Sequence, residues 1–449
     1  MSDWRILTGD NLGHLRSMPD DYFDSCVTDP PYELAFMGRK WDSSGVAFDP
    51  IRWAEVLRVL KPGAHLLAFG GTRTYHRMVC AIEDAGFEIR DSIHWVYGSG
   101  FPKSLDVSKA IDSAAGAERK IVGVDFARAA KQTAKHDSMA LGEFNGSGGI
   151  ITAPALPEAE QWNGWGTALK PAHEPIVVAR KPLQGTVAAN VLAHGTGGIN
   201  VDACRIESCD PWTRPGRAEA NVFGEYASIP TESSPAGRWP PNLLLTHSED
   251  CGSTCVDGCP VAEMDRQSGE RPGMSGGGKH RPDYQGGMFG AIDSDAARGD
   301  SGGASRFFPV FRYEAKAGRS EREWGCEAIA PERKNDGRKT DREVPNLRNT
   351  KAVHNFHPTV KPVALMRWLA KLVTPPGGRV LDLYAGSGTT GCACVAEGFD
   401  FTGIELKPEH VAICEARIRF WERFPGGGVA SKESIEAELK GQLPMFGGK

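Results

Sequence analysis

Apolar and polar positions in the first hundred residues follow two alternating periods. Arg5–Leu7 and Ser25–Thr28 are short runs of strand character, ending in turn chemistry at Gly9-Asp10 and Asp29-Pro30-Pro31-Tyr32. Ile51–Leu60 has apolar residues at helical spacing, and Lys61-Pro62-Gly63 is expected to stop it. Ala64–Phe69 is an unbroken apolar run, as for a strand buried on both faces. Arg73–Ala85 reads as helix and Phe87–Tyr97 as strand. From about 101 to 350 Gly, Pro, Ser and charged residues break every period. Residues 272–305 hold ten glycines and few large apolar residues, too little to offset their ordering entropy, so this stretch reads as a loop. Regular pattern returns near His357: a helix over Pro362–Val373, a strand over Arg379–Leu383, a helix over Thr389–Glu397, a strand over Phe401–Ile404 and a helix over Pro408–Phe420.

Strands alternating with helices imply an α/β fold with a mostly parallel sheet covered on both faces. Neither end of the chain has enough strands for such a sheet, but together they do. The expected organisation is therefore 1–105 and 351–424 as two halves of one domain, 106–350 as an insertion, and 425–449 as a tail.

Composition narrows the class. The chain of 449 residues has 52 basic and 57 acidic side chains, a formal charge of −5, which argues against a generally basic coat but not against a local basic groove. No apolar run approaches the ~20 residues of a membrane span, and the N-terminus lacks a signal-peptide core. The eleven cysteines are scattered, six of them in apparent core or helix segments (Cys26, Cys80, Cys326, Cys392, Cys394, Cys414), which suits reduced thiols. A cytoplasmic protein is the expectation.

Two constellations carry chemistry. Asp382 to Gly391 places Gly386, Gly388 and Gly391 in a G-x-G-x-x-G array between a strand and a helix, where glycines permit close backbone approach to a ligand. Glu405, 23 residues after Asp382, ends the next strand, where a carboxylate can meet ribose hydroxyls. NAD enzymes show the same array, and so does a plain strand-to-helix turn. A negative Asp382 just ahead of the glycines suits a cationic ligand such as a sulfonium amino acid better than a pyrophosphate. The second constellation is Asp29-Pro30-Pro31-Tyr32, at a strand's carboxyl end. Two prolines remove two donors, leaving carbonyls free to face a substrate. Asp29 and the Pro30 carbonyl can accept the hydrogens of an exocyclic amine, and Tyr32 can stack on a base that has left the duplex. The alternative is a rigid turn with a surface Tyr.

Asp29–Tyr32 together with Asp382–Gly391 resembles the amino-methylating DNA methyltransferases that use S-adenosylmethionine, in the family's β order of catalytic tetrad first and cofactor loop last. The resemblance implies a Rossmann-like class I methyltransferase sheet with circularly permuted motifs and a large inserted recognition region. It implies catalysis by Asp29, Pro30, Pro31 and Tyr32. Cofactor binding would fall to Asp10, Asp29, His357, Thr359, Lys361, Asp382, Tyr384, Gly386, Ser387, Gly388, Thr389 and Glu405. Asp at the tetrad's first position usually accompanies adenine N6 methylation in this family; cytosine N4 and a catalytically silent DNA-binding homologue are the alternatives. Phage and bacterial restriction-modification enzymes are of this kind, and no nuclease motif is apparent here.

The insertion is expected to read double-stranded DNA. Arg306 to Lys351 has twelve basic and eight acidic residues with Phe307, Phe308, Phe311, Tyr313 and Trp324 interleaved. Trp95, Lys103, Arg306, Arg312, Lys316 and Arg319 are the candidate contacts; Trp162, Trp165 and His173 suit core equally. His247, Cys251, Cys255 and Cys259 recur every four residues and have the donors for structural zinc, with Cys204 and Cys209 as alternatives. Gly252 and Gly258 rule out a helix that would align them, and C-x3-C is an uncommon zinc spacing. Gln442–Phe446 resembles the short peptides that replication proteins insert into a sliding clamp, with Leu443, Met445 and Phe446 as anchors.

Overall fold

The computed structural model describes residues 2–34, 43–98, 104–125, 150–206, 237–248, 251, 254–272, 301–311, 319–332 and 352–425, with backbone alone at a few positions between 213 and 232. Two compact units emerge, one of Met1–Ser99 with His173–Lys449 and one of Gly100–Ala172.

In the larger unit nine strands form one sheet: β1 (Trp4–Thr8), β2 (Phe23–Thr28), β3 (Leu60–Phe69), β4 (Glu88–Val96), β5 (His173–Arg180), β6 (Leu243–Thr246), β7 (Val310–Phe311), β8 (Arg379–Asp382) and β9 (Asp400–Glu405). Their spatial order is β1-β9-β8-β2-β3-β5-β4-β6-β7. Every neighbouring pair is parallel except the two made by β5, which runs against the rest. The two ends of the chain thus interleave, with Trp4 beside Phe401 and Val380 beside Ser25. Successive strand residues feed opposite faces. Cys26, Leu66 and Val177 join one buried cluster with Trp53 and Leu381, while Val27, Leu67 and Val178 join another with Leu369 and Phe401. Burial on both faces explains the unbroken apolar runs. The α/β fold expected from the sequence is the fold the chain adopts.

Three features differ from the sequence expectation. The helix Pro50–Val59 does stop, but β3 begins at once, at Leu60, and takes Pro62 and Gly63 into the strand. The Pro62 carbonyl is satisfied from outside the sheet, by Asn190 Nδ2 at 2.9 Å and Thr196 Oγ1 at 2.5 Å. The second unit ends at Ala172, so the chain from His173 returns to the sheet as β5 where an insertion to 350 was expected. His173 belongs to that strand. β6 adds a further strand from the middle, pairing Leu244 with Trp95.

The smaller unit contains the helix Val107–Ala114, a hairpin of Ile121–Val124 with Ile150–Thr152, and the helix Pro157–Gln161. Arg119 bridges the helix and hairpin through Asp112 at 2.5 Å and Thr152 Oγ1 at 2.9 Å. Trp162 and Trp165 meet edge to face at 5.0 Å and are exposed, not core. Among the described residues no helix is long and apolar enough to cross a membrane. Most of the 272–305 loop and the tail segment Gln442–Phe446 lie outside the described residues.

Candidate active site

The carboxyl ends of the parallel strands converge on one edge of the sheet, where open α/β sheets bind ligands. β2 delivers Thr28 and Asp29, β8 delivers Asp382, and β9 delivers Glu405. Because β5 runs the other way, its first residues arrive at the same edge, and Glu174 stands level with Trp95 of β4. An antiparallel strand is what brings a fourth carboxylate here.

Asp382 fastens two of these ends together. Its Oδ1 accepts from Thr28 Oγ1 at 2.7 Å and from the Tyr384 N–H at 3.0 Å, and its Oδ2 accepts from Thr390 Oγ1 at 2.6 Å. Burial pushes this carboxyl up to about 6 despite the three donors. Asp382 thereby ties the Asp29 turn to the glycine loop.

The glycines of that loop are required mainly by protein neighbours. Gly388 has φ +77°, and a Cβ there would lie 2.6 Å from Cys414 Sγ. Gly386 has φ +53°, and its Cβ would lie 2.9 Å from the His357 ring. His357 therefore packs on the loop, its Nδ1 within 2.7 Å of the Thr359 carbonyl, and burial pulls its pKa down to about 3. Glu405 Oε2 accepts the Gly386 N–H at 2.9 Å and its Oε1 the Lys407 N–H at 3.0 Å. Beneath the loop, the wholly buried Arg417 donates to the Ser387 carbonyl at 2.8 Å and to Thr389 Oγ1 at 3.0 Å. Ser387 and Thr389, expected to face a cofactor, direct these oxygens inward to Arg417. Asp10 is exposed and pairs with Arg52 at 2.8 Å. Thr359 is exposed and Tyr384 half-buried.

The tetrad is held by an ionic cluster. Lys361 Nζ lies 2.6 Å from Asp29 Oδ2, 3.1 Å from Tyr32 Oη and 3.4 Å from Glu174 Oε2. Tyr32 Oη in turn donates to Glu174 Oε2 at 2.7 Å. Burial alone would lower the Lys361 ammonium, but Asp29 and Glu174 more than offset it and its pKa is raised. Burial lifts Asp29 above the usual carboxylate range against the pull of Lys361. Asp29 Oδ1 is buried with no hydrogen-bond partner among the described residues. Such an oxygen is costly unless a donor or a positive charge meets it, so it marks where a ligand would be welcome. Lys361, expected at the cofactor, contacts Asp29 and Tyr32 of the tetrad. Glu174 and Arg417 were not singled out from the sequence.

The residues expected at DNA separate. Trp95 is buried: its indole N–H donates to Thr246 Oγ1 at 2.6 Å and its ring meets Phe69 edge-on, so it belongs to the core and offers no face to DNA. Arg306 donates to the Gly303 carbonyl at 2.8 Å and covers the Phe307 ring at 4.4 Å. Trp324 stacks on Phe420 at 5.7 Å and is structural. Arg319 begins a short helix, Arg319–Glu323. Lys103, Arg312, Lys316 and Tyr313 lie outside the described residues, as does Cys209. Cys204 is buried against the Trp368 carbonyl, away from the other cysteines considered for zinc.

Comparison with known proteins agrees with this picture. The type II methyltransferase M.Cfr9I of Citrobacter freundii is 39% identical over 93 residues, 21% of this chain and 31% of that protein. The DNA adenine methyltransferase YhdJ of Escherichia coli (strain K12) is 39% identical over 76 residues, 17% of this chain and 26% of the relative. These matches span about a third or less of the relatives' own length. Among solved structures, the cytosine-N4-specific PvuII DNA methyltransferase aligns over 95% of this chain and 94% of its own, at 12% identity and a TM-score of 0.41, too distant to bear on specificity. The family model for DNA methylases of the N6/N4 type matches residues 23–416, and the chain belongs to that family.

Proposed function

We propose that this chain methylates an exocyclic amine of double-stranded DNA with S-adenosylmethionine as donor, and that the acceptor is adenine N6. The observation that carries this reading is Asp29: one carboxylate oxygen held by Lys361 at 2.6 Å, the other buried and without a partner among the described residues. When bound, S-adenosylmethionine supplies an electrophilic methyl group on a positively charged sulfur. The glycine loop, Glu405 and His357 would hold it, and the uncompensated Asp29 oxygen suits both a cationic donor and an N–H acceptor substrate. Asp29 Oδ1 and the Pro30 carbonyl would accept the two amine hydrogens, drawing lone-pair density out of the ring and back to nitrogen. The base must leave the stack to reach them. Lys361 pulls the Asp29 carboxyl down against the upward push of burial, favouring the ionised form that accepts hydrogen bonds. These residues work by position and charge. The acidic first residue of the tetrad supports adenine over cytosine.

The test is incubation with tritiated S-adenosylmethionine and mixed unmethylated duplex DNA, followed by digestion to nucleosides. Labelled N6-methyladenine is the expected product. Labelled N4-methylcytosine would overturn the base assignment, and absence of label from protein that binds the cofactor would overturn the activity.

A further inference from the structure

A cluster that the proposed reaction does not use lies where β6 meets the helix Pro260–Ser268. His247 directly follows β6, and its N–H donates to the Phe311 carbonyl of β7 at 3.1 Å. Cys259 is the residue before the helix, and Cys251 and Cys255 come from the connection between. One donor atom from each of the four lies within 4.8 Å of all the others. Cys255 Sγ is 3.3 Å and Cys259 Sγ 3.6 Å from His247 Nδ1. A zinc tetrahedron with bonds of about 2.3 Å to sulfur and about 2.0 Å to nitrogen separates sulfur from nitrogen by about 3.5 Å and sulfur from sulfur by about 3.8 Å. The side chains thus already stand near tetrahedral spacing, without the helix that the glycines exclude.

We propose that His247, Cys251, Cys255 and Cys259 bind one structural zinc ion. Three soft sulfurs and an imidazole select zinc over magnesium or calcium, and four protein ligands leave no position open for catalysis. All three cysteines are free thiols. They lose their protons to solvent on binding. The Val256 N–H points at Cys251 Sγ from 3.5 Å, the kind of donor that steadies a metal-bound thiolate. The local core is small, with Leu245, Cys259 and Val261 its only fully buried apolar members among the described residues, so a metal staple has something to supply.

The position gives the ion a purpose. Pro260, next to Cys259, packs so tightly on Gly98 that a Cβ there would come within 2.8 Å of its ring. Gly98 follows Tyr97, whose hydroxyl reaches Glu174 at 3.4 Å. Fixing Cys259 therefore fixes one wall of the tetrad's ionic cluster.

The test uses the full chain, untagged, reduced and purified without chelator. Elemental analysis should find about one zinc per chain. Cys255→Ser and Cys259→Ser should lose most of it, while Cys80→Ser, at an exposed thiol elsewhere, should keep it. Cobalt added to the chelator-stripped wild type should give the intense bands of a tetrahedral thiolate complex, bleached by zinc; this reading holds even if the variants fold poorly. Less than about a tenth of an equivalent of zinc in the wild type, a full equivalent in Cys255→Ser, or a pale octahedral cobalt spectrum would each overturn the site.

Discussion

Replacing Lys361 by Met removes the one cation that, among the described residues, touches Asp29 and Glu174 while keeping most of the side-chain volume. At separations of 2.6 and 3.4 Å and an effective dielectric of about 20, the lost attractions are about 6 and about 5 kcal/mol. The protein need not bear all of that, because one carboxyl can take up a proton. Holding a proton on a carboxyl whose ordinary value is 3.8 costs about 2 kcal/mol at pH 5.5 and about 5 kcal/mol at pH 7.5. That sets the ceiling on destabilisation, which at pH 7.5 reaches the top of the range of about 3–5 kcal/mol expected when one partner of a buried pair is removed. The sign follows from proton linkage: in the variant the folded state binds more protons than the unfolded chain above pH 3.8, so its stability falls as pH rises. Urea unfolding of both proteins at pH 5.5 and 7.5 should show the gap between them widening by about 2–3 kcal/mol. Methyl transfer at pH 7.5 should fall about 100-fold or more, because a protonated Asp29 donates where it must accept. Equal destabilisation at the two pH values would show that Lys361 acts by packing, and would refute the charge argument.

Asp29→Ala should lower methyl transfer by at least about 1,000-fold; full activity would remove the tetrad from the mechanism. Gly388→Ala should cost about 2–4 kcal/mol, because its Cβ would strike Cys414 Sγ at 2.6 Å as well as straining φ +77°. Gly398→Ala, with φ +79° but nothing within 4 Å, should cost only about 1 kcal/mol, and equal losses by thermal unfolding would contradict the packing account. His65 is buried in β3 and held neutral, its pKa pulled down to about 4 by burial and then by Arg180 and Arg90. Its contribution is complete above pH 6.5 and lost as pH falls towards 4, about 2 kcal/mol by pH 5, so His65→Gln should flatten the acid limb of a stability–pH profile.

What could be read from the sequence was local. The helix Thr389–Glu397 needed only its own glycine caps, and Asp29 and Asp382 announced themselves by sitting at strand ends. β5 carries a visible signal in Ile176-Val177-Val178, but Gly- and Pro-rich neighbours masked it, and nothing local fixes its antiparallel direction. Glu174 therefore could not be placed, since its position depends on pairing with Trp95 of a strand far earlier in the chain. Arg417 was findable. It falls on the stripe Ile413, Cys414, Ile418 and Trp421 of an amphipathic helix, where a charge must have buried partners. The proposed zinc ligands were visible as a period of four, yet nothing in that spacing shows that their donor atoms gather within 4.8 Å of one another. Trp95 was placed on the right strand, but its burial depends on Phe69 of β3 and Thr246 of β6, contacts that its own strand does not announce.

The interleaved strand order has a consequence for how the chain is made. β1 and β2 emerge from the ribosome early, but the strands that lie between them, β9 and β8, are the last of the sheet to be synthesised. Roughly 20–75 seconds separate these events at ordinary translation rates of about 5–20 residues per second. Through that interval the nascent chain carries two open strand edges whose partners do not yet exist, each a template for pairing with the wrong chain. β3 and β4 wait in the same way for β5. The latest strands, β9 and β8, fill the gap between β1 and β2, so that side of the sheet closes by insertion and not by growth from an edge. Such long-range pairing folds slowly, and a chain cut short before residue 379 would leave that gap permanently unfilled.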